Sequence, residues 1–469
     1  MMRKNAGLLL WMFLSIIVAS CTDVYKEDGS EKEKEIVPPG ETYTPEKQYN
    51  LNVVYYIPSD VPEVEDWHYR LSGVTLHIQN YFYENFMRYR VDKKFGLELN
   101  DVNPEFVRVH YIKSNKKHLD MQETNMKEMA QEVLNYFKQN PDSKQSDHYL
   151  IYMPKYEGSF IKHYYPSANE GMAFCGVDDT KWNIKYFASA RARATFLDDL
   201  GNVLKVFAQS LFLEESDTGA DSPFRALLAA KYTTTGGNKY LPQYNYVDYS
   251  GTPSTSSAPY VAGTPDKVRL MIWDIRYLNG IQIFNDNYSY KPFEVDIKSV
   301  DIRSKEGATF EEDTIKVQCK FAIPADLELA GVVMFDDPWR TYVNGKFDDT
   351  LDKDENYESG WDAYGVYVEA VTFEKEGDIY VADFVLPIVN HMSLLQKSSG
   401  TTVHELRFRF IGKNGMAYPH VPTSIKGPFE APLRNVFNVI GKYNFLTGIT
   451  TYTHDIATRY GVWHGVEEE

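Results

Sequence analysis

The sequence predicts an α+β chain in which an α/β half precedes an antiparallel β half. Two observations carry this. From Leu51 to Asn285 strand-like and helix-like periodicities alternate, and from Pro292 short runs of period two separated by turn residues take over. The length of 469 residues exceeds one ordinary core and points to two domains. Hydrophobic residues at 43% and aromatic residues at 14% are ample for packed cores, which excludes disorder for most of the chain.

In the first half, Leu51–Ile57 is a β-rich run stopped by Pro58. Leu71, Val74, Ile78, Phe82 and Phe86 then recur at helical spacing. Phe106–Ile112 alternates like a strand. Met126, Met129, Ala130, Val133 and Phe137 mark a second helix closed by Asn140-Pro141. Tyr149–Met153 is a third strand ending at Pro154, and a long Gly- and Tyr-bearing loop is expected from there through Cys175-Gly176. Phe196, Leu200, Val203, Leu204, Phe207 and Leu211 define a third amphipathic helix, with Asp198 and Asp199 expected at its start, where carboxylates offset the helix dipole. Residues 216–264 read as a long loop rich in Ser, Thr, Gly, Pro and Tyr. A fourth helix through Val268, Met271, Ile272 and Ile275 closes this half near Phe284-Asn285.

In the second half, Val295–Ile302, Ile315–Ile323, Tyr364–Val371, Ile379–Leu386 and Leu406–Ile411 alternate, with turn signals at Lys305-Glu306-Gly307, Glu376-Gly377-Asp378 and Lys413-Asn414-Gly415. This is the pattern of an antiparallel β-sandwich, immunoglobulin- or fibronectin-like in type.

The start of the chain has its own signature. Arg3 and Lys4 precede an apolar run, Leu8–Ala19, that is short for a bilayer span and ends at Ser20-Cys21. That is the pattern of a bacterial lipoprotein signal, with Cys21 as the lipidated first residue of the mature chain. Several acyl chains hold a protein at a membrane far better than one, at about 0.8 kcal/mol per buried CH₂. A charged stretch follows to Pro38-Pro39-Gly40 and reads as a solvated tether. Lys26-Glu27-Asp28 behind the cysteine resembles the surface-export signal of Bacteroidetes lipoproteins, which implies an outer-membrane protein facing the cell exterior. The expected division is therefore a signal peptide at 1–20, a tether at 21–48, an α/β domain at 49–287, and a β-sandwich with a C-terminal extension at 288–469.

The net charge of −17 argues against nucleic acid, since phosphate neutralisation needs an excess of Lys and Arg, and against electrostatic adhesion to anionic lipid. With Cys21 lipidated, Cys175 and Cys319 fall in different halves and are expected as buried free thiols. The 35 tyrosines suit surfaces that grip sugars or peptides, and they equally suit β-rich packing.

Residues 50–287 resemble a zincin-type metallopeptidase domain in the order and spacing of their elements. Phe95-Gly96-Leu97-Glu98 with Val107-Arg108-Val109-His110, and Thr264-Pro265-Asp266 with Phe284-Asn285, are the segments that carry the resemblance. In such a domain HExxHxxGxxH places two His at i and i+4 on one helix face to bind Zn²⁺, and the Glu between them polarises its water. The best register here puts Lys205 at the first ligand, Val206 at the general base, Gln209 at the second ligand, Phe212 at the glycine and Glu215 at the third ligand. A protonated Lys repels a dication and valine cannot activate water, so no metal cofactor is expected. The bland alternative is a core helix that falls in this register by chance.

Other constellations are weaker. Asp352, Asp354, Asn356 and Glu358 space oxygen donors at every second residue, as a calcium loop does, but Tyr357 stands where an EF-hand has its glycine, so a solvated acidic turn is favoured. Nearby Trp339, Tyr342, Tyr357 and Trp361 form a candidate sugar-stacking platform. His404-Glu405 opens a strand and has no second His in reach, and no GxSxG or P-loop is present. The expected role is a binding or accessory component for peptide or glycan capture, working with an outer-membrane uptake complex. The alternatives are a hydrolase that uses carboxylates such as Glu214 and Glu215, or a metal held by other ligands, and a structural or adhesion protein.

Overall fold

A computed structural model of the chain describes residues 39–167, 169–177, 182–184, 190–213, 225–226, 268–304, 314–339, 342–343, 346–347, 366–369, 372–387, 401–418, 434–444 and 449–459. Cys21 and Lys26-Glu27-Asp28 lie outside the described residues, as does the stretch from 227 to 267.

The first half is built on a five-stranded sheet. Its strands are β1 (Asn52–Ile57), β2 (Val109–Lys113), β3 (His148–Pro154), β4 (Ile161–Ser167) and β5 (Glu170–Val177), in the order β2-β1-β3-β5-β4. β1 runs parallel to β2 and β3, β3 runs parallel to β5, and β4 runs antiparallel to β5 at the edge. Parallel pairs need long crossovers, and α1 (Trp67–Arg88) and α2 (Met126–Gln139) supply them. Both faces of the sheet are therefore covered, and every residue of β1 and β3 is buried.

The side chains of each strand divide between two cores because successive residues point to opposite faces. Val53, Tyr55, Leu150, Tyr152, Ala173 and Cys175 pack with α1 and with α3 (Ala190–Ser210). Val54, Tyr56, Ile151, Met153, Met172 and Phe174 pack with α2. The helical periodicities hold: Leu71, Val74, Ile78, Phe82 and Phe86 of α1 are buried, as are Met129, Ala130, Val133 and Phe137 of α2. Phe82 and Phe95 meet Phe207 of α3 edge-on, with ring centroids 5.4 and 5.5 Å away.

Three expectations need correction. The segment after Pro154 is not one loop, because it contains β4 and β5. β5 is a continuously buried strand without alternation, and β4 is rich in Tyr and polar residues, so neither carries a clear period-two signal. Helix α3 begins at Ala190, which places Asp199 inside the helix; its carboxylate faces Lys155 at 3.4 Å instead of serving the N-terminal dipole. The fourth helix, α4, spans only Ile272–Leu278, and Asn279-Gly280 separates it from the short 3-10 turn Gln282–Phe284. Val268–Arg269 instead pairs with Arg225–Ala226 as a two-residue ladder.

The second half is antiparallel. One sheet joins β6 (Asp296–Ser304), β7 (Thr314–Ala322), β10 (Thr372–Glu376) and β11 (Ile379–Pro387) in the order β6-β7-β11-β10. The other joins β8 (Leu329–Trp339), β9 (Val366–Glu369), β12 (Thr401–Gly412), β13 (Arg434–Asn444) and β14 (Ile449–Arg459) in the order β9-β8-β12-β13-β14. Val317, Cys319, Phe321, Ala382 and Phe384 of the first sheet share a core with Val332, Met334, Phe408 and Phe410 of the second. Phe321 lies 4.6 Å from Phe410 between ring centroids. The period-two reading does not pick out β8, because its apolar stretch Val332-Val333-Met334-Phe335 is continuous.

The halves meet at α4. The Arg409 guanidinium of β12, buried to 1% exposure, lies over the Tyr277 ring at 4.8 Å. Gly280 and Gly415 touch through their backbones, where a Cβ on Gly415 would stand 1.8 Å from the Gly280 carbonyl oxygen. Cys175 and Cys319 are free and buried, and burial pushes both thiols well up from the ordinary range.

Candidate functional site

Lys205, Val206 and Gln209 of the register expected from the sequence lie in the last turns of α3, and Phe212 follows its end. Apolar spacing sets its orientation: Leu200, Val203, Leu204, Phe207 and Leu211 are buried at 0% exposure against the sheet and α1. Lys205 and Gln209 then fall one turn apart on a common side of the helix. Lys205 is half-buried, while Val206 and Gln209 are each 7% exposed. Glu214 and Glu215 lie outside the described residues.

The helix stops in a specific way. Phe212 N–H donates to the Gln209 carbonyl at 2.8 Å and Leu213 N–H to the Ala208 carbonyl at 3.4 Å, the paired bonds of a Schellman turn. Such a turn needs a left-handed residue at its centre, and Phe212 has φ 64°. Glycine takes this conformation freely, whereas an L side chain there costs about 1–2 kcal/mol. The position at which the HExxHxxGxxH register calls for glycine is thus the position where the backbone turns left-handed.

Burial holds Phe212 in its strained conformation. Its ring is 1% exposed and stacks on Tyr165 of β4, with centroids 4.7 Å apart and planes at 16°. It meets the ring of His148 edge-on at 6.2 Å. The Tyr165 hydroxyl donates to the Gln209 carbonyl, and the Ser210 hydroxyl donates to the Phe207 carbonyl at 2.7 Å. Ser210 also presses its carbonyl against Gly171, the second residue of β5, where a Cβ would sit 1.8 Å from that oxygen.

His148 opens β3 and pairs in register with Gly171. Burial lowers its pKa to about 4; Asp147 opposes that shift and Lys144 adds to it. Lys144 bridges Asp147 at 2.8 Å and Glu170 at 3.0 Å, and the Gln282 side chain accepts from Asp147 N–H at 2.8 Å. This polar network underlies the helix end and ties β3 and β5 to the turn after α4.

The residues present do not fit a zincin metal. At the register positions an ammonium, an isopropyl group, a carboxamide and a phenyl ring stand where two imidazoles, a carboxylate and a glycine are required. Among the described residues no cluster of three or more His, Cys, Asp or Glu side chains is placed to hold a metal ion. No catalytic step is therefore derived through a metal.

Of the other sequence candidates, Tyr357, Trp361, Asp352, Asp354, Asn356 and Glu358 lie outside the described residues. Trp339 ends β8, and Tyr342 belongs to a two-residue ladder in which it pairs with Phe347. Tyr165, His148 and Gly171 are the site residues that sequence reasoning missed. The available signal for Tyr165 was the Tyr-rich run Tyr164-Tyr165, which an edge strand accommodates as readily as a loop.

No protein-family model matches the chain, and no curated protein matches it in sequence. Solved structures do match. The wild-type crystal structure of OgpA from Akkermansia muciniphila superposes with a TM-score of 0.57 at 16% identity, covering 90% of this chain and 98% of that one. Catalytically inactive OgpA in complex with an O-glycopeptide substrate, glycodrosocin, superposes with a TM-score of 0.56 at 16% identity over the same shares of both chains. A second crystal form of wild-type OgpA gives 0.54 at 17% identity, covering 82% of this chain and 94% of that one. At these identities the likeness establishes a shared, zincin-like fold.

Proposed function

We propose that this chain is a non-hydrolytic binding protein for peptides or O-glycopeptides, built as a zincin-like α/β unit followed by a β-sandwich and held by the Cys21 lipid on the outer face of an outer membrane. The observation that carries this reading is the α3 terminus. Its backbone turns left-handed at Phe212, where the resembled register has glycine, while Lys205, Val206 and Gln209 do not suit zinc binding or water activation.

Edge strand β4 supports the binding role. Among the described residues it pairs only with β5, so its other side offers backbone N–H and C=O groups to an extended chain. Pro166 has no N–H to offer and limits that edge to the stretch from Ile161 to Tyr165. A substrate of OgpA is an O-glycopeptide, and the shared fold makes a glycosylated peptide the first ligand to try.

Glycodrosocin and its unglycosylated peptide are the probes. Calorimetry is expected to show saturable binding of the glycopeptide, and mass spectrometry is expected to recover it uncut after prolonged incubation with added zinc. Cleavage by the purified protein would establish the hydrolase alternative. Binding of neither peptide would remove the capture role.

A further inference from the structure

We infer that Tyr165 and Phe212 form a clasp of hydrogen bonding and ring packing that fixes the end of α3 to the sheet edge, in a helix whose residues do not suit a metal tie. The inference takes up the mismatch between the metal register and its residues, and it does not depend on what the protein binds.

A metal tie works by joining side chains from separate segments through one ion, and its free energy becomes part of the folding free energy. Here neighbouring residues of one short segment reach separate strands through a hydrogen bond, a backbone contact and ring packing. The Gln209 carbonyl takes the Tyr165 hydroxyl of β4, the Ser210 carbonyl seats against Gly171 of β5, and the Phe212 ring packs between Tyr165 and His148 of β3. The Phe212 backbone is the second observation. A left-handed bulky residue persists only where its surroundings over-determine it, so its presence marks a contact worth more than the strain. With the ring removed, the strain loses the packing that offsets it.

Hydrogen exchange reads the clasp locally. Tyr165→Phe removes one hydroxyl and keeps the ring stack. In that variant the amides of Phe212 and Leu213 are expected to exchange at least about tenfold faster, a factor corresponding to about 1.4 kcal/mol, the net worth of one hydrogen bond. Amides of Leu150 and Ile151 in β3 are expected to keep their wild-type rates. Global loosening would speed both sets together and overturn the assignment, as would unchanged exchange at Phe212 and Leu213.

A second pair of variants reads the strain without touching Tyr165. Phe212→Ala keeps the left-handed penalty and loses the ring, while Phe212→Gly loses the ring alone. The unfolding constant of Phe212→Ala is expected to exceed that of Phe212→Gly by about fivefold. Equal constants would show that no strain is held there and would overturn the clasp.

Discussion

Acidification from pH 7 toward pH 4 is expected to destabilise this protein strongly, and the loss begins between pH 6.5 and 5, where its ordinary carboxylates are still ionised. The cause lies in buried histidines. Burial lowers the pKa of His148 to about 4, and burial together with the positive charge of Arg108 lowers that of His110 to about 4. Burial also lowers the pKa of His77, on the partly exposed side of α1, to about 4.

A folded-state pKa below the ordinary value of 6.5 means that the unfolded chain binds more protons between the two values. The stability these groups contribute is thus fully present above pH 6.5 and is lost as pH falls toward 4. At 1.36 kcal/mol per pKa unit, His110 and His148 each account for about 3 kcal/mol, so together they match a large part of a typical folding free energy of about 5–15 kcal/mol. Urea midpoints measured at pH 7.5, 5.5 and 4.5 should fall steeply across the series. A flat profile over that range would mean that these histidines are solvated in the folded protein.

Gly171→Ala is expected to be among the most damaging single-methyl substitutions in the chain. The added carbon would stand 1.8 Å from the Ser210 carbonyl oxygen and 2.9 Å from its carbon, both backbone atoms that no side-chain rotation can relieve. Either β5 or the end of α3 must shift, and both are buried on all sides. The cost is about 3 kcal/mol or more, at the upper end for overpacking. Gly73→Ala supplies the contrast. It lies within α1, its added Cβ would meet Ile184 at an ordinary 3.6 Å, and helix propensity favours the change by about 1 kcal/mol. Denaturant melts of the two variants should move in opposite directions, and a Gly171→Ala protein as stable as wild type would refute the tight seat under α3.

The fold was legible where periodicity and burial agree. Helices α1 and α2 bury one stripe each, so Leu71 through Phe86 and Met129 through Phe137 announce them. β1 and β3 lie in the middle of the sheet, where both faces are covered, and their apolar runs end at Pro58 and Pro154. β4 and β5 were hidden for opposite reasons. β5 is buried on both faces and shows no alternation, while β4 is an edge strand whose residues are nearly all half-buried, which leaves no apolar side to detect. Asp199 was misplaced because a carboxylate near an apolar stripe looks like a helix start, and its pairing with Lys155 is a tertiary fact.

The altered register on α3 was legible as a pattern of residue types, since Lys205, Val206 and Gln209 are read directly. What the residues could not show is the left-handed turn at Phe212, because a phenylalanine is among the last residues from which such a turn would be inferred. Tyr165 and Gly171 were equally hidden. They are brought to α3 by the β4–β5 hairpin, a tertiary pairing that no local pattern announces.

The central proposal, that α3 lies in a metal-helix register whose residues exclude the metal, is tested most directly by zinc titration of the purified chain, read by bound metal per protein and by melting with and without chelator. The account predicts sub-stoichiometric zinc even when zinc is supplied in excess, and an unfolding midpoint that chelator does not move. One tightly held zinc per chain, with a midpoint that falls when it is stripped, would contradict it, because a site of that kind stabilises the fold by mass action.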